Sequence, residues 1–547
     1  MKELLLKNKF RFYIYIFACT FPVFMRYVQI WIITLFFEAM GQKSIILYEQ
    51  VLFYTVIFLV FDFIIFILSR LLRIGFMRDT LFEVRKMAFD KVINASFKNF
   101  NKKSKDIYLS NMVNDINTFE SRFFLNLINL IFLSGSYLVA MVILLFINYK
   151  LALLMISLSI VLFLISKAFE SKTIEWQKDV SSESEIFTLN MSNTFNGLEV
   201  LKLNNIEGTF LNKGINSIEE LEKKKARLRS LTTNQNSVLY TIGYMIFLLM
   251  LVFLVGRLDE GVSYGEIALI IQLSTGTVFS LSSILPRYNV LKSSKEIFDK
   301  ITKDEEEISM EQKKGFEFKE QILVKNMSFE LDGKKIFDRV NFKIEIGKKY
   351  LIKGVSGAGK STLMKILSMG HDEYEGEIIV DGVDLKSISE SDFYNEVSFV
   401  YQDVFIFEDT IRNNIALYKA VDDEILLNST NKAGLKEFIN SRNDGLENEI
   451  LENGKNLSGG ERQRISIARA LVRESRILFI DEGTSSLNEE LGREIEQAIL
   501  DLETTVIAIS HRYYSGISEK YDYVIEIKNG EVELFEGKAY FREVLYA

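Results

Sequence analysis

Six long apolar segments in the first half of the sequence constrain its fold more than any other feature. A helix that crosses the hydrocarbon core of a bilayer needs about 20 consecutive, mostly apolar residues. Six segments of this length with consistent loop polarity predict an α-helical six-helix membrane domain rather than buried helices of a soluble protein. The segments lie at residues 11–38, 50–72, 124–148, 151–169, 239–257 and 264–289.

The connections between these segments alternate between short and long. Residues 39–49, Asn148–Lys150 and 258–263 are short, whereas 73–123 and 170–238 are long, charged and patterned like helices. Cytoplasmic loops of membrane proteins carry an excess of Lys and Arg, and both the start of the chain and the first long loop are basic. The sequence therefore predicts that the long loops and the second half of the chain are cytoplasmic, and that the short loops face outward.

Two charged residues, Arg26 and Asp62, interrupt the first and second apolar segments. A charge near the bilayer centre costs several kcal/mol unless it is paired or hydrated. Both residues lie roughly 18 positions from a turn near residue 44, so antiparallel helices would hold them at similar depth. We expect them to form an ion pair or to line a water-filled cavity. Alternatively, one segment is shifted and its charge reaches an interface.

Composition separates the chain into an apolar first half and a more polar second half. Hydrophobic residues make up 48% of the 547 residues, charged residues make up 25%, and the net charge is −8. A nucleic-acid partner would favour a basic domain, so we expect none. The single cysteine, Cys19, excludes an intramolecular disulfide and any site built from several cysteines. The predicted domains are a membrane domain at 1–291, a linker at 292–315 and an α/β ATPase domain at 316–547.

The glycine-rich stretch Gly354–Thr362 has the spacing G-x-x-x-x-G-K-[ST] of a phosphate-binding loop. A short apolar strand precedes it and a helical pattern follows it, which places the bound anion at a helix N-terminus. Glycines let several backbone N–H groups point at phosphate oxygens. Lys360 would contact the β- and γ-phosphates, and the Ser361 hydroxyl would bind Mg²⁺. The predicted phosphate-binding residues are Gly354, Ser356, Gly357, Ala358, Gly359, Lys360, Ser361 and Thr362.

Three further segments supply candidate catalytic groups. An apolar strand ends in Asp481 and Glu482, which predicts a Mg²⁺-organising carboxylate followed by a general base for water. The glycines after Ser458 stand at a predicted helix start, where they offer a second anion-binding surface or an ordinary helix cap. His511 follows the strand 505–510, at the end of a strand where α/β proteins build their sites.

Leu457–Glu461, with sequence LSGGE, resembles the signature motif of the ABC ATPases. The order of the phosphate-binding loop, this motif, Asp481-Glu482 and His511 is similar to that family, and Gln402 resembles its glutamine loop residue. Six membrane segments ahead of the ATPase resemble an exporter-type half-transporter. The resemblance implies a P-loop ATPase domain of ABC type, ATP and Mg²⁺ as cofactors, catalytic roles for Glu482, His511 and Gln402, and Mg²⁺ near Ser361, Gln402 and Asp481.

The resemblance also implies partners. Two chains would dimerise, as a homodimer or a heterodimer, with each ATP held between one chain's phosphate-binding loop and Ser458, Gly459 and Gly460 of the other. Two positions depart from the family pattern. Leu331 stands where an aromatic residue usually stacks on adenine, so we expect weaker base binding unless Phe329 or another ring substitutes. Asn488 replaces the usual Asp in the segment that connects the two ATP sites.

These features predict an ATP-driven exporter subunit, or translocase, that works by alternating access. The cargo class is a peptide, a lipid or a hydrophobic, drug-like molecule. We expect a multi-pass protein of the cell (plasma) membrane, surrounded by lipid, with its ATPase domain in the cytoplasm. One alternative is an importer of a metal chelate with the same architecture. The other is a membrane sensor or regulator that ATP gates without transport.

Overall fold

The computed structural model describes residues 2–97, 105–255, 263–303, 317–331, 333–484 and 486–546. The chain divides into two compact units, whose main parts are residues 2–95 with 105–303 and residues 317–546. The first part of the predicted linker, 292–315, belongs to the last long helix, which ends at Thr302. From residue 304 the predicted linker lies outside the described residues.

Six long helices dominate the first unit, and each is long and apolar enough to cross a membrane. The longest have 49 residues, which at 1.5 Å per residue is about 73 Å, far more than the ~30 Å hydrocarbon core. Within the described residues, most of the two long charged loops therefore consists of continuations of these helices. The described helices are α1 (Lys2–Lys7), α2 (Lys9–Gln42), α3 (Ile45–Ile93), α4 (Lys105–Ser110), α5 (Ile116–Ile147), α6 (Tyr149–Asn196), α7 (Leu198–Leu203), α8 (Glu207–Val255) and α9 (Tyr264–Thr302).

Helix α9 is the central element of this unit. It packs against α2, α5, α6 and α8, and 44% of its most apolar window is buried, against 6% for α3. Buried leucines at 144, 162, 239 and 273 join four of these helices in one apolar cluster. The apolar side chains of α3 instead face outward, as expected for a helix that lipid covers.

The predicted Arg26–Asp62 ion pair is wrong. Helices α2 and α3 are packed neighbours, as their short connection indicated, but these two residues form no ion pair in the part of the chain that the structure describes. The Arg26 guanidinium lies 5.8 Å from the ring centroid of Phe132 in α5, and a Cβ atom on Gly276 of α9 would lie 2.8 Å from its Nη2. Arg26 therefore contacts α5 and α9, because equal depth does not put two residues on facing sides of their helices.

The second unit contains a six-stranded sheet and a four-stranded antiparallel sheet. The larger has the order β10-β9-β3-β8-β7-β6, and its strands are parallel except for β10. The smaller has the order β2-β1-β4-β5. The strands are β1 (Gln321–Leu331), β2 (Lys334–Glu345), β3 (Lys349–Gly354), β4 (Glu375–Val380), β5 (Val383–Asp384), β6 (Val397–Val400), β7 (Ile477–Asp481), β8 (Thr505–Ile509), β9 (Tyr523–Lys528) and β10 (Glu531–Glu536).

Apolar side chains of the parallel strands alternate between two cores, because successive residues of a strand point to opposite faces. Ile352 and Phe479 belong to the core that includes the four-stranded sheet. Leu351 and Leu478 belong to the other core, which the helices cover. The helices are α10 (Lys360–Leu367), α11 (Glu390–Glu396), α12 (Ile411–Ala416), α13 (Asp423–Lys432), α14 (Lys436–Asn440), α15 (Gly459–Val472), α16 (Glu489–Leu500) and α17 (Gly537–Tyr546).

Candidate nucleotide-binding and hydrolysis site

Four adjacent parallel strands end at the candidate site. The phosphate-binding loop follows β3, His511 follows β8, Asp481 ends β7, and Gln402 follows β6. Because these strands are neighbours in the order β3-β8-β7-β6, their carboxyl ends share one edge of the sheet. This edge is where open α/β sheets bind their ligands.

The phosphate-binding loop depends on glycine at three positions. Gly354, Gly357 and Gly359 have φ angles of 155°, 80° and 104°, in the left-handed region that side chains disfavour. A Cβ atom on Gly359 would lie 2.8 Å from Ile336, whereas one on Gly357 would meet nothing within 4 Å. The Lys360 Nζ donates to the carbonyl oxygens of Gly354 and Val355, at 2.9 and 3.0 Å. The loop backbone therefore curls around a central space, and the Lys360 side chain lies across it. This arrangement fits a chain of phosphates bound at the start of α10.

Ser361 and Asp481 offer oxygen ligands beside this cradle. The Ser361 hydroxyl forms a hydrogen bond with the Asp481 carboxylate. Burial raises the pKa of Asp481 and so does the neighbouring Glu482, whereas the Ser361 hydrogen bond lowers it. Mg²⁺ is bound in proteins by one or two carboxylates together with substrate phosphates. A hydroxyl and a carboxylate in contact next to a phosphate-binding loop therefore fit this ion.

Glu482 is the residue on which the catalytic candidates converge. Its carboxylate accepts a hydrogen bond from Gln402 Nε2 at 3.1 Å, and its other oxygen lies 3.3 Å from His511 Nε2. Its backbone N–H donates to the carbonyl of Ile509 at 3.0 Å. Its φ angle of 53° is unusual for a residue with a side chain, and such strain is concentrated at functional sites. The structure thus brings together three residues from the ends of β6, β7 and β8.

Gln463 supports Glu482 from behind, and the sequence interpretation missed it. Its Nε2 donates to the Glu482 carbonyl oxygen at 2.8 Å, and its Oε1 accepts from the backbone N–H of Ser486 at 3.1 Å. Only 2% of Gln463 is exposed. A glutamine on the buried face of α15 is a signal that the helical pattern could have revealed, because buried amides need partners.

The segment Ser458–Gly460 begins α15 as a capped helix. The Ser458 hydroxyl accepts from the backbone N–H of Glu461 at 3.2 Å, and the Glu461 carboxylate accepts from the Ser458 N–H at 2.6 Å, which is a capping box. The helix-cap interpretation of Ser458 therefore holds. Within the described residues, no hydrogen bond or ion pair joins Ser458–Gly460 to the phosphate-binding loop of the same chain.

The structure shows which groups surround Leu331 and Asn488, the two residues that depart from the family pattern. Leu331 is 41% exposed at the end of β1. Phe329 is only 4% exposed, and its ring packs at 5.2 Å from that of His371, so it is not available to replace an adenine-stacking ring. The Asn488 side chain accepts from the Leu491 N–H at 2.8 Å and caps α16.

The buried Glu496 and the half-buried Lys353 form a group of ionisable side chains next to the site, which sequence reasoning also missed. Glu496 is 4% exposed, and burial raises its pKa to about 7, against the opposing effect of the Lys353 ammonium group and a hydrogen bond with Tyr521. Lys353 directly precedes the phosphate-binding loop, and its Nζ donates to the Ser510 carbonyl oxygen at 3.0 Å. This group therefore links α16 to the ends of β3 and β8.

Family models match both halves of the chain. The model described as ABC transporter transmembrane region matches residues 12–281, and the model described as ABC transporter matches residues 337–485. The chain belongs to the ABC transporter family, and its order of domains is that of an exporter-type half-transporter. It is a multi-pass membrane protein with a cytoplasmic nucleotide-binding ATPase domain.

Individual proteins support the same assignment. The ATP-dependent lipid A-core flippase of Francisella tularensis (strain SCHU S4) is 37% identical over 215 residues, which are 39% of this chain and 35% of that relative. The chain thus spans about a third of that relative's length. The uncharacterized ABC transporter ATP-binding protein YwjA of Bacillus subtilis (strain 168) is 27% identical over 471 residues, 82% of this chain and 80% of YwjA. A solved bacterial Atm1-family ABC exporter with ATP bound has the same fold, with a TM-score of 0.81 at 18% identity and coverage of 96% of this chain and 95% of that chain.

Proposed function

We propose that this chain is one subunit of an ATP-driven exporter that moves a lipid or another hydrophobic molecule across the cell membrane by alternating access. The observation that carries the proposal is the convergence of Gln402 and His511 on Glu482, beside a phosphate-binding loop, in a chain that also has six membrane-spanning candidates. Lipid as cargo draws support from the name of the flippase relatives.

The proposed hydrolysis follows from the geometry of the site. The phosphate-binding loop and Lys360 hold the ATP phosphates, and Ser361, Asp481 and Gln402 would hold Mg²⁺, which supplies positive charge to the phosphates when bound. The Glu482 carboxylate orients and deprotonates the attacking water. His511 and Gln402 hold this carboxylate in place from both sides, and Gln463 anchors its backbone.

The proposed active form contains two chains, which are two copies of this chain or this chain and a second half-transporter. Ser458, Gly459 and Gly460 begin a helix whose first N–H groups are suited to an anion, but they form no hydrogen bond or ion pair with their own phosphate-binding loop in the described part of the chain. ATP held between two chains gives these residues a ligand. Closing the pair of ATPase domains around ATP would then drive the membrane helices toward an outward-open state.

Purified protein in phosphatidylcholine liposomes tests this function. The measurement is ATP-dependent movement of a fluorescent phospholipid from the leaflet on the ATPase side to the opposite leaflet, with a dithionite-quenching readout. We expect movement with the unaltered chain and none with Glu482→Gln. Movement toward the ATPase side would identify an importer, and hydrolysis without movement of any lipid would identify a regulator.

A further inference from the structure

Two hydrogen-bonded carbonyl groups fix the backbone directly before His511. Strand β8, which leads to this residue, lies between β7 and β3 in the sheet. On the β7 side, the Ile509 carbonyl oxygen accepts from the Glu482 N–H at 3.0 Å. On the β3 side, the Ser510 carbonyl oxygen accepts from the Lys353 Nζ at 3.0 Å. The peptide group from which His511 projects is therefore held by backbone on one side and by a lysine side chain on the other.

The direction of the His511 side chain depends on this backbone. The side chain is 54% exposed, yet its Nε2 lies 3.3 Å from a carboxylate oxygen of Glu482. An exposed ring receives little support from packing, and the rotamers open to it are set by its backbone. A displacement of about 1 Å can cost an enzyme about 100-fold in rate. A group that fixes the Ser510 carbonyl therefore also fixes the contact between His511 and Glu482.

Lys353 reaches Ser510 from the face of the sheet that the helices cover. Side chains two residues apart on a strand point to the same face, so Lys353 shares the face of Leu351. Leu351 belongs to the core that includes Ile495 of α16, and Lys353 is half-buried. An apolar side chain would cover this core without the cost of partly desolvating an ammonium group. The lysine therefore calls for a role beyond packing.

Glu496 is the acidic group next to this lysine. It is 4% exposed, and its Oε1 has no hydrogen-bond partner among the described residues. Burial raises its pKa to about 7, whereas Lys353 and a hydrogen bond with Tyr521 oppose this shift. Burial lowers the pKa of Lys353, and Glu496 opposes that shift in turn. Two further titratable side chains face α16 one turn earlier, beside Gly492, and they are Arg512 and Tyr514.

We propose that Lys353 is a positioning residue for hydrolysis, because its hold on the Ser510 carbonyl group keeps His511 beside the proposed general base. When the Glu496 carboxyl ionises, its unpartnered oxygen becomes a charged acceptor that draws the ammonium group away from this carbonyl. Hydrogen bonds to a charged acceptor are roughly twice as strong as those to a neutral one. The inference rests on the roles proposed above for His511 and Glu482 and adds a residue that acts through them.

The kcat and KM of ATP hydrolysis by the full-length protein test the positioning role. Lys353→Met keeps a long aliphatic side chain and removes the donor. We expect kcat to fall about tenfold, the scale of one charged hydrogen bond, with KM for ATP changed less than about twofold. The matched control is Lys349→Met, because Lys349 is on the same strand and face but donates to the carbonyl groups of Leu502 and Thr504, before β8 begins. Equal losses of kcat in the two variants would overturn the proposal.

A second measurement asks whether Lys353 acts through His511. In a His511→Ala protein there is no imidazole to position, so adding Lys353→Met should lower kcat by less than about twofold, since residues that act through one contact are not additive. A further tenfold loss in the double variant would show that the lysine acts elsewhere, and would overturn the positioning role.

The pH dependence of kcat tests the part of Glu496. Its carboxyl is protonated below about pH 7 and ionised above it, so kcat of the unaltered protein should fall as the pH rises through 7. Glu496→Gln cannot ionise and should be at least about threefold faster than the unaltered protein at pH 8.5, with equal kcat at pH 6. Glu494→Gln is the control. The comparison remains available if Lys353→Met does not fold, and identical pH profiles would overturn the role of Glu496.

Failure of the proposed catalytic roles gives a different result from failure of this inference. Full kcat in His511→Ala would refute the proposed role of the histidine itself. Loss of kcat in His511→Ala together with normal kcat in Lys353→Met would leave that role in place and overturn only the positioning by Lys353.

Discussion

At the residue scale, Glu482 is the group whose position most directly implies chemistry. Its carboxylate lies between Gln402 and His511 at the end of a buried strand. Replacing it with Gln should preserve ATP binding and slow turnover by at least ~100-fold, because general-base loss has that scale. The measurement is phosphate release at saturating ATP, alongside nucleotide binding. Glu490→Gln, an exposed position in the first turn of α16, serves as control, and near-normal turnover of Glu482→Gln would refute the assignment.

Glu496 should make stability depend on pH. Burial raises the pKa of its carboxyl from 4.5 to about 7 in the folded protein, so the fold favours the protonated form. The protonated Glu496 carboxyl therefore makes its full contribution to the free energy of unfolding below about pH 4.5. This contribution is lost as the pH rises through 7, which lowers the free energy of unfolding by on the order of 3 kcal/mol at ~1.4 kcal/mol per pKa unit. Glu496→Gln should flatten this slope in unfolding measurements of the full-length protein between pH 5 and 8.

Glu494→Gln is the control for this prediction, since Glu494 is exposed on the same helix, α16. Its variant should keep the pH slope of the unaltered protein. If the pH dependence of stability is unchanged in Glu496→Gln, the titrating group is another residue, and an electrostatic role of the half-buried Lys353 at Glu496 loses its support.

At the element scale, we expect the end of β1 to limit how tightly the base of the nucleotide is held. Leu331 offers an exposed apolar side chain but no ring, and Phe329 is buried. Base–aromatic stacking contributes ~1–3 kcal/mol, so Leu331→Tyr should raise apparent ATP affinity about tenfold or more. GTP should support turnover of the unaltered chain within roughly tenfold of ATP.

Equilibrium binding of ATP to the full-length protein measures this effect. Leu427→Tyr is the matched control, because Leu427 is also exposed and lies on α13, which carries no predicted site residue. Unchanged ATP affinity in Leu331→Tyr would show that a missing ring does not limit binding.

At the scale of the whole molecule, the proposed two-chain ATP site leads to a prediction about Ser458. Ser458→Arg should block hydrolysis while leaving nucleotide binding by Lys360 largely unchanged, because the added side chain fills the surface that faces the partner's ATP. Asp422→Arg is the matched control, since Asp422 caps α13 through its side chain as Ser458 caps α15 and each change costs about 1 kcal/mol of capping. Full hydrolysis by protein shown to be monomeric would contradict the two-chain site.

Apolar and polar segments are also separated at the scale of the whole molecule. Apolar segments of spanning length are concentrated in one unit, and the phosphate-binding loop and the carboxylates are in the other. The only two prolines of the chain, Pro22 and Pro286, lie inside the membrane helices α2 and α9. Proline is tolerated there because neighbouring helices satisfy the backbone groups that it frees.

The sequence by itself determined the features that depend on neighbouring residues. Each of the six apolar segments lies almost entirely within one long helix, because length and hydropathy are local properties of the chain. The phosphate-binding loop lies between β3 and α10, because its glycine spacing specifies its own backbone. The carboxylates Asp481 and Glu482 stand at a strand end for the same reason, since a short apolar run ending in acids indicates a buried strand.

Only the tertiary structure decided which distant side chains meet. Arg26 contacts Phe132 instead of Asp62, because the rotation of each helix about its axis depends on all of its neighbours. The approach of Glu496 to Lys353 likewise depends on packing between separate elements. Such contacts carry no local periodicity, so the residues that face one another emerge only when the elements are assembled.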